Sequence, residues 1–246
     1  MSDERSNEAD ALDRPVTETA GAGDAGVATH LRDHLDREMR AVRDDVLRMG
    51  SMVVEAIHEA VEALVAGDRE RATAVIVDDV RINDMQAAIL VRVASTIATQ
   101  APVARDLRYL LALDRVTYEL ERIGDHAASV AKQAQRVADD VPPAAGRLRD
   151  IGLVAAELVS DVLRALVDVD EDEARAIAAR DDEVDHRYKR AFDQTMAWVR
   201  AEPDRLADGI SLLFAAHDLE RIGDRATNIA EDVVFLTSGR IEDLNP

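Results

Sequence analysis

A six-residue sequence, Leu-Glu-Arg-Ile-Gly-Asp, occurs twice in this chain, at 120–125 and again at 219–224. An identical repeat of this length, with a glycine and two carboxylates in it, is improbable from composition alone and indicates an internal duplication. The copies are offset by 99 residues (219 minus 120), and apolar residues on both sides of the repeat match at the same offset. The matched pairs are Leu113 and Leu212, Val116 and Ala215, Leu120 and Leu219, Ile123 and Ile222, Ala127 and Ala226, Val130 and Ile229, and Ala134 and Val233.

These apolar positions are separated alternately by three and four residues, which predicts a long helix with one face packed against its neighbours. Before the repeat the offset becomes 102 residues, since Asp79 and Asn83 match Asp181 and Asp185. The difference of three residues between the two offsets belongs in a loop, which we expect between about residues 99 and 104.

The same periodicity, read with the positions of proline and glycine, predicts six helices and no strands. Gly67 ends the first helix, and Pro102 and Pro203 each precede the last helix of a copy. Asp68 and Asp170 are expected to cap the helices that follow them. The expected helices span about 30–66, 69–98, 104–138, 145–168, 171–200 and 204–238. The predicted fold is all-α: two tandem three-helix bundles, with helical pairs like those of spectrin repeats, related by internal pseudo-symmetry. The expected boundaries are 29–140 for the first repeat and 141–246 for the second.

Residues 1–28 differ in composition from the rest of the chain. They are rich in Asp, Glu, Ala, Gly and Thr and contain no aromatic residue, so they cannot bury enough apolar area to offset the entropy lost on folding. We therefore expect a disordered acidic tail. It lacks the basic start and apolar run of a secretory signal. No stretch of about eighteen apolar residues occurs anywhere in the chain, so membrane insertion is not expected.

The chain is strongly acidic, with 50 acidic residues against 30 basic ones and a formal net charge of -20. Non-specific nucleic-acid binding depends on Lys and Arg, so this balance argues against nucleic acid as a partner. The absence of cysteine excludes disulfides, thiolate metal sites and cysteine nucleophiles, and it fits a cytoplasmic protein. Apart from Lys132 and Lys189 every basic residue is arginine, which fits a salt-rich cytoplasm and equally a GC-rich genome.

Each copy of the repeat carries two carboxylates one helical turn apart, Glu121 with Asp125 and Glu220 with Asp224. Like charges at this spacing repel by roughly 0.3 kcal/mol, so a compensating positive charge is expected. Carboxylates one turn apart converge on a common point, which suits a hard cation held by oxygen ligands. A solvated face of a very acidic protein explains the same spacing equally well.

Two further features of these acidic stripes bear on a metal site. Gly124 and Gly223 lie between the paired acids, inside a helix where glycine costs about 1 kcal/mol relative to alanine. Two such glycines at matching positions indicate the close approach of another helix or of ligands. Asp114 lies on the stripe of the first copy and His217 on that of the second, and both are candidate ligands.

The hexapeptide is one of several motifs that together resemble the PhoU family of phosphate-uptake regulators. The others are His126 after the first hexapeptide, Asn228-Ile229-Ala230-Glu231 after the second, and the runs Gln100-Ala101-Pro102 and Asp106-Leu107-Arg108 before the first. The resemblance covers about residues 35–238. It implies two three-helix bundles related by pseudo-symmetry, with multinuclear metal clusters on the surface at Glu-x-x-x-Asp motifs, here Glu121 to Asp125 and Glu220 to Asp224.

The resemblance also implies a function. PhoU proteins are non-enzymatic regulators that couple the high-affinity phosphate ABC transporter to a sensor kinase, and they shut down uptake and signalling when phosphate is plentiful. Many form homodimers. We therefore expect a regulator of phosphate homeostasis whose partners are the transporter ATPase and the sensor kinase. Oxygen-rich ligation without cysteine favours Mg, Mn or Fe as the metal.

The two copies depart from each other at positions close to the predicted sites. Arg225 stands where the first copy has His126, and the first copy has Asn83 where the second has the acid Asp185. These differences predict two sites that bind metal unequally, or one that stays empty. The predicted metal ligands are Glu121, Asp125, Glu220, Asp224, Asp114, His217 and Asp185.

A different class of function remains open at this point. Glu55-x-x-His58 has the spacing of a di-iron carboxylate ligand pair, so a metal-dependent enzyme or a ferritin-like metal-storage bundle is the alternative. Against it, the second copy has Ser160 where a matching histidine is needed. An enzyme also needs a protected concave pocket, whereas a regulator can carry its acids on an open face. A third interpretation gives the acids no role beyond solubility.

Overall fold

The structure, a computed structural model, describes residues 22–137, 142 and 144–245, and all regular structure in these ranges is helical. The helices are α1 (Ala22–Ala66), α2 (Arg69–Gln100), α3 (Ala104–Ala134), α4 (Ala145–Asp168), α5 (Glu171–Ala178), α6 (Asp181–Ala201) and α7 (Leu206–Ser238), with a 3-10 turn at Pro203–Arg205 before α7. Within the same ranges, no helix combines the length and the hydropathy that spanning a bilayer requires.

The helices pack as two bundles that follow the two copies of the sequence. Helices α1, α2 and α3 contact one another, and α4 to α7 form the second group in the same way. Helix α3 packs along α7 and α1 packs against α4, which joins the two bundles. The predicted all-α fold is confirmed, and the helices that carry the hexapeptides lie side by side at its centre.

The apolar seam predicted from the three-four spacing forms the core of both bundles. Every residue of the seven pairs matched at the offset of 99 is buried. Leu120 and Leu219, the first residues of the two hexapeptides, are fully inaccessible to solvent, and burial of such a side chain contributes about 2 kcal/mol. Burying this seam turns the intervening positions of α3 and α7 outward, including those of the paired carboxylates.

The first helix is longer than predicted. Helix α1 begins at Ala22 rather than near residue 30, so the segment 22–28, which composition assigned to a disordered tail, is helical. Extending an existing helix adds one hydrogen bond for each residue without the cost of nucleation, so composition alone underestimates helicity next to a packed helix. The rest of the predicted tail, residues 1–21, lies outside the described residues.

The predicted helix over 171–200 is divided in two, which corrects the count of six helices for the described residues. Helix α5 ends at Ala178 and α6 begins at Asp181. In the turn between them, Arg180 Nη1 donates to Asp161 Oδ2 at 2.7 Å, and its Nη2 lies 3.4 Å from Glu157 Oε2. Asp161 is only 8% exposed, and a buried carboxylate requires such a partner, so this ion pair accompanies the turn that places Asp181.

The predicted helix caps are confirmed and obey the internal symmetry. The side chain of Asp68 accepts from Arg71 N at 2.9 Å at the start of α2, and that of Asp170 accepts from Glu173 N at 3.0 Å at the start of α5. The two caps are 102 residues apart (170 minus 68), which is the offset found in the sequence before the hexapeptide. They set the register of the helices that face the hexapeptides.

Candidate metal sites

An acidic group in the first bundle, here called cluster one, consists of Asp79 and Asn83 on α2 with Glu121 and Asp125 on α3. The helices approach closely at Gly124, where an added Cβ would lie 3.1 Å from Ile82 Cδ1 and 3.4 Å from Asp79 Oδ1. The amide of Asn83 donates to Asp79 Oδ2 over a long 3.5 Å. Because Gly124 has no side chain, α2 approaches α3 closely enough to place the Asp79 carboxylate near Glu121 and Asp125.

The corresponding group in the second bundle, cluster two, consists of Asp181 and Asp185 on α6 with His217, Glu220 and Asp224 on α7. The approach at Gly223 is even closer, since an added Cβ would lie 2.5 Å from Asp181 Oδ1. His217 Nδ1 is 3.2 Å from Glu220 Oε2. The prediction that the two glycines mark a close approach is confirmed, and in each case the approaching group is a helix with a carboxylate.

Burial and mutual repulsion disfavour the charged carboxylates of cluster one. The pKa of Asp79 is raised, first by burial and then by the charge of Asp125. The pKa of Glu121 is raised by burial and by Asp125, with a smaller contribution from Asp79 and opposition from Arg122. The acids of α2 and α3 therefore act on one another as a single electrostatic group.

The same effects are stronger in cluster two. Burial raises the pKa of Asp181 to about 7, and the charges of Asp224, Asp185 and Glu220 add to the shift. The pKa of Glu220 is raised by burial and by Asp224, although His217 opposes the shift. The pKa of Asp224 is raised by burial and by Asp185, although Arg221 opposes it more strongly than Asp185 raises it. A carboxyl held near pKa 7 at 4% exposure is a strongly perturbed group of the kind that occurs at functional sites.

Several oxygens of the clusters are buried and accept no hydrogen bond. They are Asp79 Oδ1, Asn83 Oδ1, Glu121 Oε2 and Glu220 Oε2. Two of them still have a basic group nearby, since Glu121 Oε2 is 3.4 Å from Arg122 Nε and Glu220 Oε2 is 3.2 Å from His217 Nδ1. A buried acceptor without a partner costs about 1–3 kcal/mol. Arg122 Nη1 and Arg221 Nη1 each donate to one oxygen of the nearby aspartate, at 3.2 Å from Asp125 and 2.7 Å from Asp224, so arginine neutralises each cluster only in part.

The orphaned oxygens and the glycine cradles fit a divalent cation, because hard cations take carboxylate and amide oxygens as ligands. As the side chains stand, however, no three His, Asp or Glu residues of the described part of the chain converge closely enough to hold one ion. Binding therefore requires side-chain rotation about backbones that are already in place. Asp125 and Asp224, which are the arginine-paired acids, would have to exchange those pairs for the ion.

The structure brings most, but not all, of the predicted ligands together. Glu121 and Asp125 belong to cluster one, and the predicted ligands of the second copy all belong to cluster two. Asp114 does not join cluster one, because it precedes Glu121 by seven residues, or about 10 Å along the helix axis. Burial raises the pKa of Asp114, which its position on α3 explains without a metal.

Asp79 and Asp181 are cluster members that the sequence interpretation did not include among the ligands. The signal was present, since they match at the offset of 102 and each precedes Asn83 or Asp185 by one helical turn. Asp181 is the most buried acid of the two clusters.

The two residues that differ directly after the hexapeptides lie at the interface between α3 and α7. His126 Nδ1 is 3.0 Å from Asp218 Oδ1, and Arg225 Nη1 donates to Glu119 Oε2 at 3.2 Å. At the offset of 99, Glu119 matches Asp218 and His126 matches Arg225, so the internal symmetry exchanges the two contacts. His126 and Arg225 therefore each contact an acid of the other bundle.

The ligand pair proposed for a di-iron site does not point inward. Glu55 and His58 are both exposed on α1, whereas the ligands of ferritin-like sites project into the bundle core. Glu55 instead lines an open groove of about 270 Å³ that passes Asp79 and Gly124. The geometry gives no support to a ferritin-like centre at this position.

Comparison with known proteins shows a match along both copies. A family model described as "PhoU domain" matches residues 46–134 and 148–233. The chain is 34% identical over 216 residues to the "Phosphate-specific transport system accessory protein PhoU homolog" of Clostridium acetobutylicum, covering 87% of this chain and 99% of that protein. The corresponding protein of Escherichia coli is 31% identical over 212 residues, covering 86% of this chain and 88% of that one.

Solved structures agree with this match. The crystal structure of PhoU from Pseudomonas aeruginosa superposes with a TM-score of 0.78 at 33% identity, covering 83% of this chain and 99% of that one. The phosphate transport system regulatory protein PhoU from Streptococcus pneumoniae gives a TM-score of 0.79 at 28% identity, covering 85% and 99%. The arrangement of the helices is thus shared along nearly the whole of both relatives.

Proposed function

Because the chain belongs to the PhoU family, we propose that it is a non-enzymatic accessory protein of a phosphate-specific transport system that restrains phosphate uptake and signalling when phosphate is plentiful. The names of its relatives support the link to that transport system. Its proposed partners are the ATPase of the phosphate ABC transporter and the sensor kinase of the same pathway, and we propose a cytoplasmic homodimer.

We further propose that clusters one and two bind divalent metal, with Mg, Mn or Fe as the ions that oxygen ligands favour. The observation that carries this proposal is the set of buried oxygens that accept no hydrogen bond: Glu121 Oε2 and Glu220 Oε2 at matching positions, with Asp79 Oδ1 and Asn83 Oδ1 in cluster one. A bound cation would neutralise the repulsion between the acids and supply those oxygens with a partner. The residues that would hold it are Asp79, Glu121 and Asp125 in cluster one, and Asp181, Asp185, His217, Glu220 and Asp224 in cluster two.

The metal proposal is tested by replacing the acids of the two hexapeptides together. The variant carries Glu121→Gln, Asp125→Asn, Glu220→Gln and Asp224→Asn, and elemental analysis compares its bound Mn, Fe and Mg with those of the wild-type protein. We expect the metal content to fall and the stability of the metal-free protein to stay equal or rise, because the substitutions remove repulsion between buried charges.

A matched control removes the same charge from exposed positions. The substitutions Glu70→Gln, Asp84→Asn, Glu173→Gln and Asp193→Asn act on residues that are all exposed, and we expect them to leave the metal content unchanged. Equal metal content in the wild-type protein and the hexapeptide variant would overturn the metal proposal and would favour a solubility role for the acids.

The regulatory proposal is tested separately, in cells that lack their own copy of this protein. Expression of the chain should lower the uptake of radiolabelled phosphate at high external phosphate, and the uptake rate should stay high without it. The purified, metal-loaded protein should turn over no phosphate ester, nucleotide or peroxide. Turnover of any of these that disappears in the hexapeptide variant would instead support a metal-dependent enzyme.

A further inference from the structure

The segment that follows α7 folds back over cluster two. Helix α7 ends at Ser238, and the next residue, Gly239, has a φ of 70° in the left-handed region and reverses the chain. Three contacts then hold the segment 240–245. Arg175 Nη2 donates to Glu242 Oε2 at 2.8 Å, and Leu244 N donates to Glu231 Oε1 at 3.0 Å. The side chain of Leu244 also packs against the hydrophobic core.

These anchors place Asn245 directly on cluster two. Asn245 Nδ2 donates to Asp181 Oδ2 at 2.8 Å. The other oxygen, Asp181 Oδ1, lies over Gly223 on the facing helix, 2.5 Å from where a Cβ of that residue would be. Gly223 stands in the chain between Glu220 and Asp224. The amide thus occupies one oxygen of the aspartate and leaves the other turned towards the acids of α7.

Within the part of the chain that the structure describes, cluster one has no equivalent of this contact. Asp79, which matches Asp181 at the offset of 102, accepts the long 3.5 Å hydrogen bond from Asn83 on its Oδ2, and its Oδ1 is buried without a described hydrogen-bond partner. The two clusters therefore differ in how firmly the carboxylate between the helices is held. Hydrogen bonds from outside the ligand set orient metal ligands, and their loss typically lowers metal affinity about 10–100-fold.

We infer that Asn245 is a positioning residue of the second metal site: it holds the Asp181 carboxylate so that Oδ1 faces Glu220 and Asp224, and it makes cluster two the tighter site. This inference rests on the proposed metal function of the clusters. It assigns the segment 240–245 a role in selecting where metal binds, which the family match at 148–233 does not include.

The test measures Mn²⁺ binding by isothermal titration calorimetry in a protein whose cluster one is silenced by Glu121→Gln and Asp125→Asn. In this background Asn245→Ala should raise the dissociation constant of Mn²⁺ about tenfold or more, and Asn245→Gln, which keeps the amide donor, should recover part of the loss. In the converse background with Glu220→Gln and Asp224→Asn, Asn245→Ala should leave the affinity of cluster one unchanged.

The outcomes separate this inference from the proposed metal function. An unchanged or tighter dissociation constant on Asn245→Ala overturns the positioning role, while Mn²⁺ binding by the parent still supports the metal proposal. An equal loss of affinity at both clusters also overturns it, because it indicates a general loss of structure. A parent protein that binds no Mn²⁺ at either cluster overturns the metal proposal and this inference together.

Discussion

Carboxylates occupy two kinds of place on α3 and α7, and their neighbours differ. In clusters one and two, acids of adjacent helices face one another, and the charge of one raises the pKa of another. At the interface between α3 and α7, each acid faces a basic side chain instead. The pairs are Glu119 with Arg225, Asp218 with His126, and Asp232 with Arg115.

The same residue type therefore serves two purposes on one helix. Acids that meet a basic partner across α3 and α7 hold the two bundles together, whereas acids that meet other acids raise the energy of the folded chain unless something neutralises them. Glu119 and Glu121 are only two residues apart, yet they fall on these different sides of the helix. Substitution of an interface acid or its basic partner should lower the stability of the fold, whereas substitution of a cluster acid should weaken metal binding.

The largest expected effect comes from removing a basic partner at the interface. Arg225→Ala removes the basic partner of Glu119, whose side chain is only 14% exposed, and leaves it the hydrogen bond from the Asn228 amide. Breaking a buried ion pair from one side costs about 3 kcal/mol, so urea unfolding should show a loss of that order. The Mn²⁺ affinity of both clusters should stay within about twofold.

Arg221→Ala on the same helix is the matched control for that loss. Arg221 donates to Asp224, but the two side chains are 39% and 28% exposed, and such pairs contribute about 0–1 kcal/mol. A loss of stability as large for Arg221→Ala as for Arg225→Ala would contradict the division between interface and cluster acids.

A smaller effect is expected from pH, through Asp232 at the interface. Burial raises the pKa of Asp232 from 3.8 to about 7 and outweighs the opposing charge of Arg115. The folded protein therefore keeps a proton on Asp232 that the unfolded chain has released, and the stability this contributes is lost as pH rises through about 4 to 7. Between pH 5.5 and 7.5 Asp232 contributes a slope of at most about 1.4 kcal/mol for each pH unit. Asp181, whose pKa burial also raises to about 7, adds a second contribution of the same sign.

Asp232→Asn should flatten this dependence, measured by urea unfolding in the presence of a chelator. The control is Asp193→Asn, which changes an exposed acid and should leave the slope as it is in the wild-type protein. Parallel pH profiles for the wild-type protein and Asp232→Asn would show that Asp232 does not hold a proton in this window.

The positions that the sequence predicted well are those governed by local periodicity. The buried seam of α3 and α7, the caps at Asp68 and Asp170, and the close approaches at Gly124 and Gly223 all follow from spacing within one helix or from the internal offset. The turn between α5 and α6 could not be predicted in this way. It leaves the spacing of the apolar residues unchanged, and it accompanies an ion pair between Arg180 and Asp161 of α4.

The pairing across α3 and α7 also lay beyond the sequence. Glu119 contacts a residue 106 positions away, and that contact depends on how two finished bundles pack. From the sequence, the difference between His126 and Arg225 therefore indicates the metal sites, whereas the structure places both residues at the interface. Asn83 and Asp185, the other pair of differing residues, do lie in the clusters. Unequal metal binding by the two clusters because of this difference stays a prediction.

An effect of about tenfold in affinity is expected when cluster one is made to match cluster two. Asn83→Asp adds the carboxylate that Asp185 supplies in the second bundle, and one more charged oxygen should tighten Mn²⁺ binding about tenfold, or about 1.4 kcal/mol. Calorimetry in the background of Glu220→Gln and Asp224→Asn isolates cluster one. Asp185→Asn in the converse background should weaken cluster two, and a change in the same direction for both variants would contradict charge as the cause.

The smallest effect is expected from making the interface symmetric. His126→Arg gives Asp218 the partner that Glu119 already has in Arg225. The substitution exchanges one basic partner for another and leaves no buried charge unpaired, so it should change stability by less than about 1 kcal/mol and leave the Mn²⁺ affinity of cluster one within about twofold. A larger change in affinity would show that His126 affects metal binding, and it would contradict the division between interface acids and cluster acids. An unchanged affinity would leave the difference between the clusters to Asn83, His217 and Asn245.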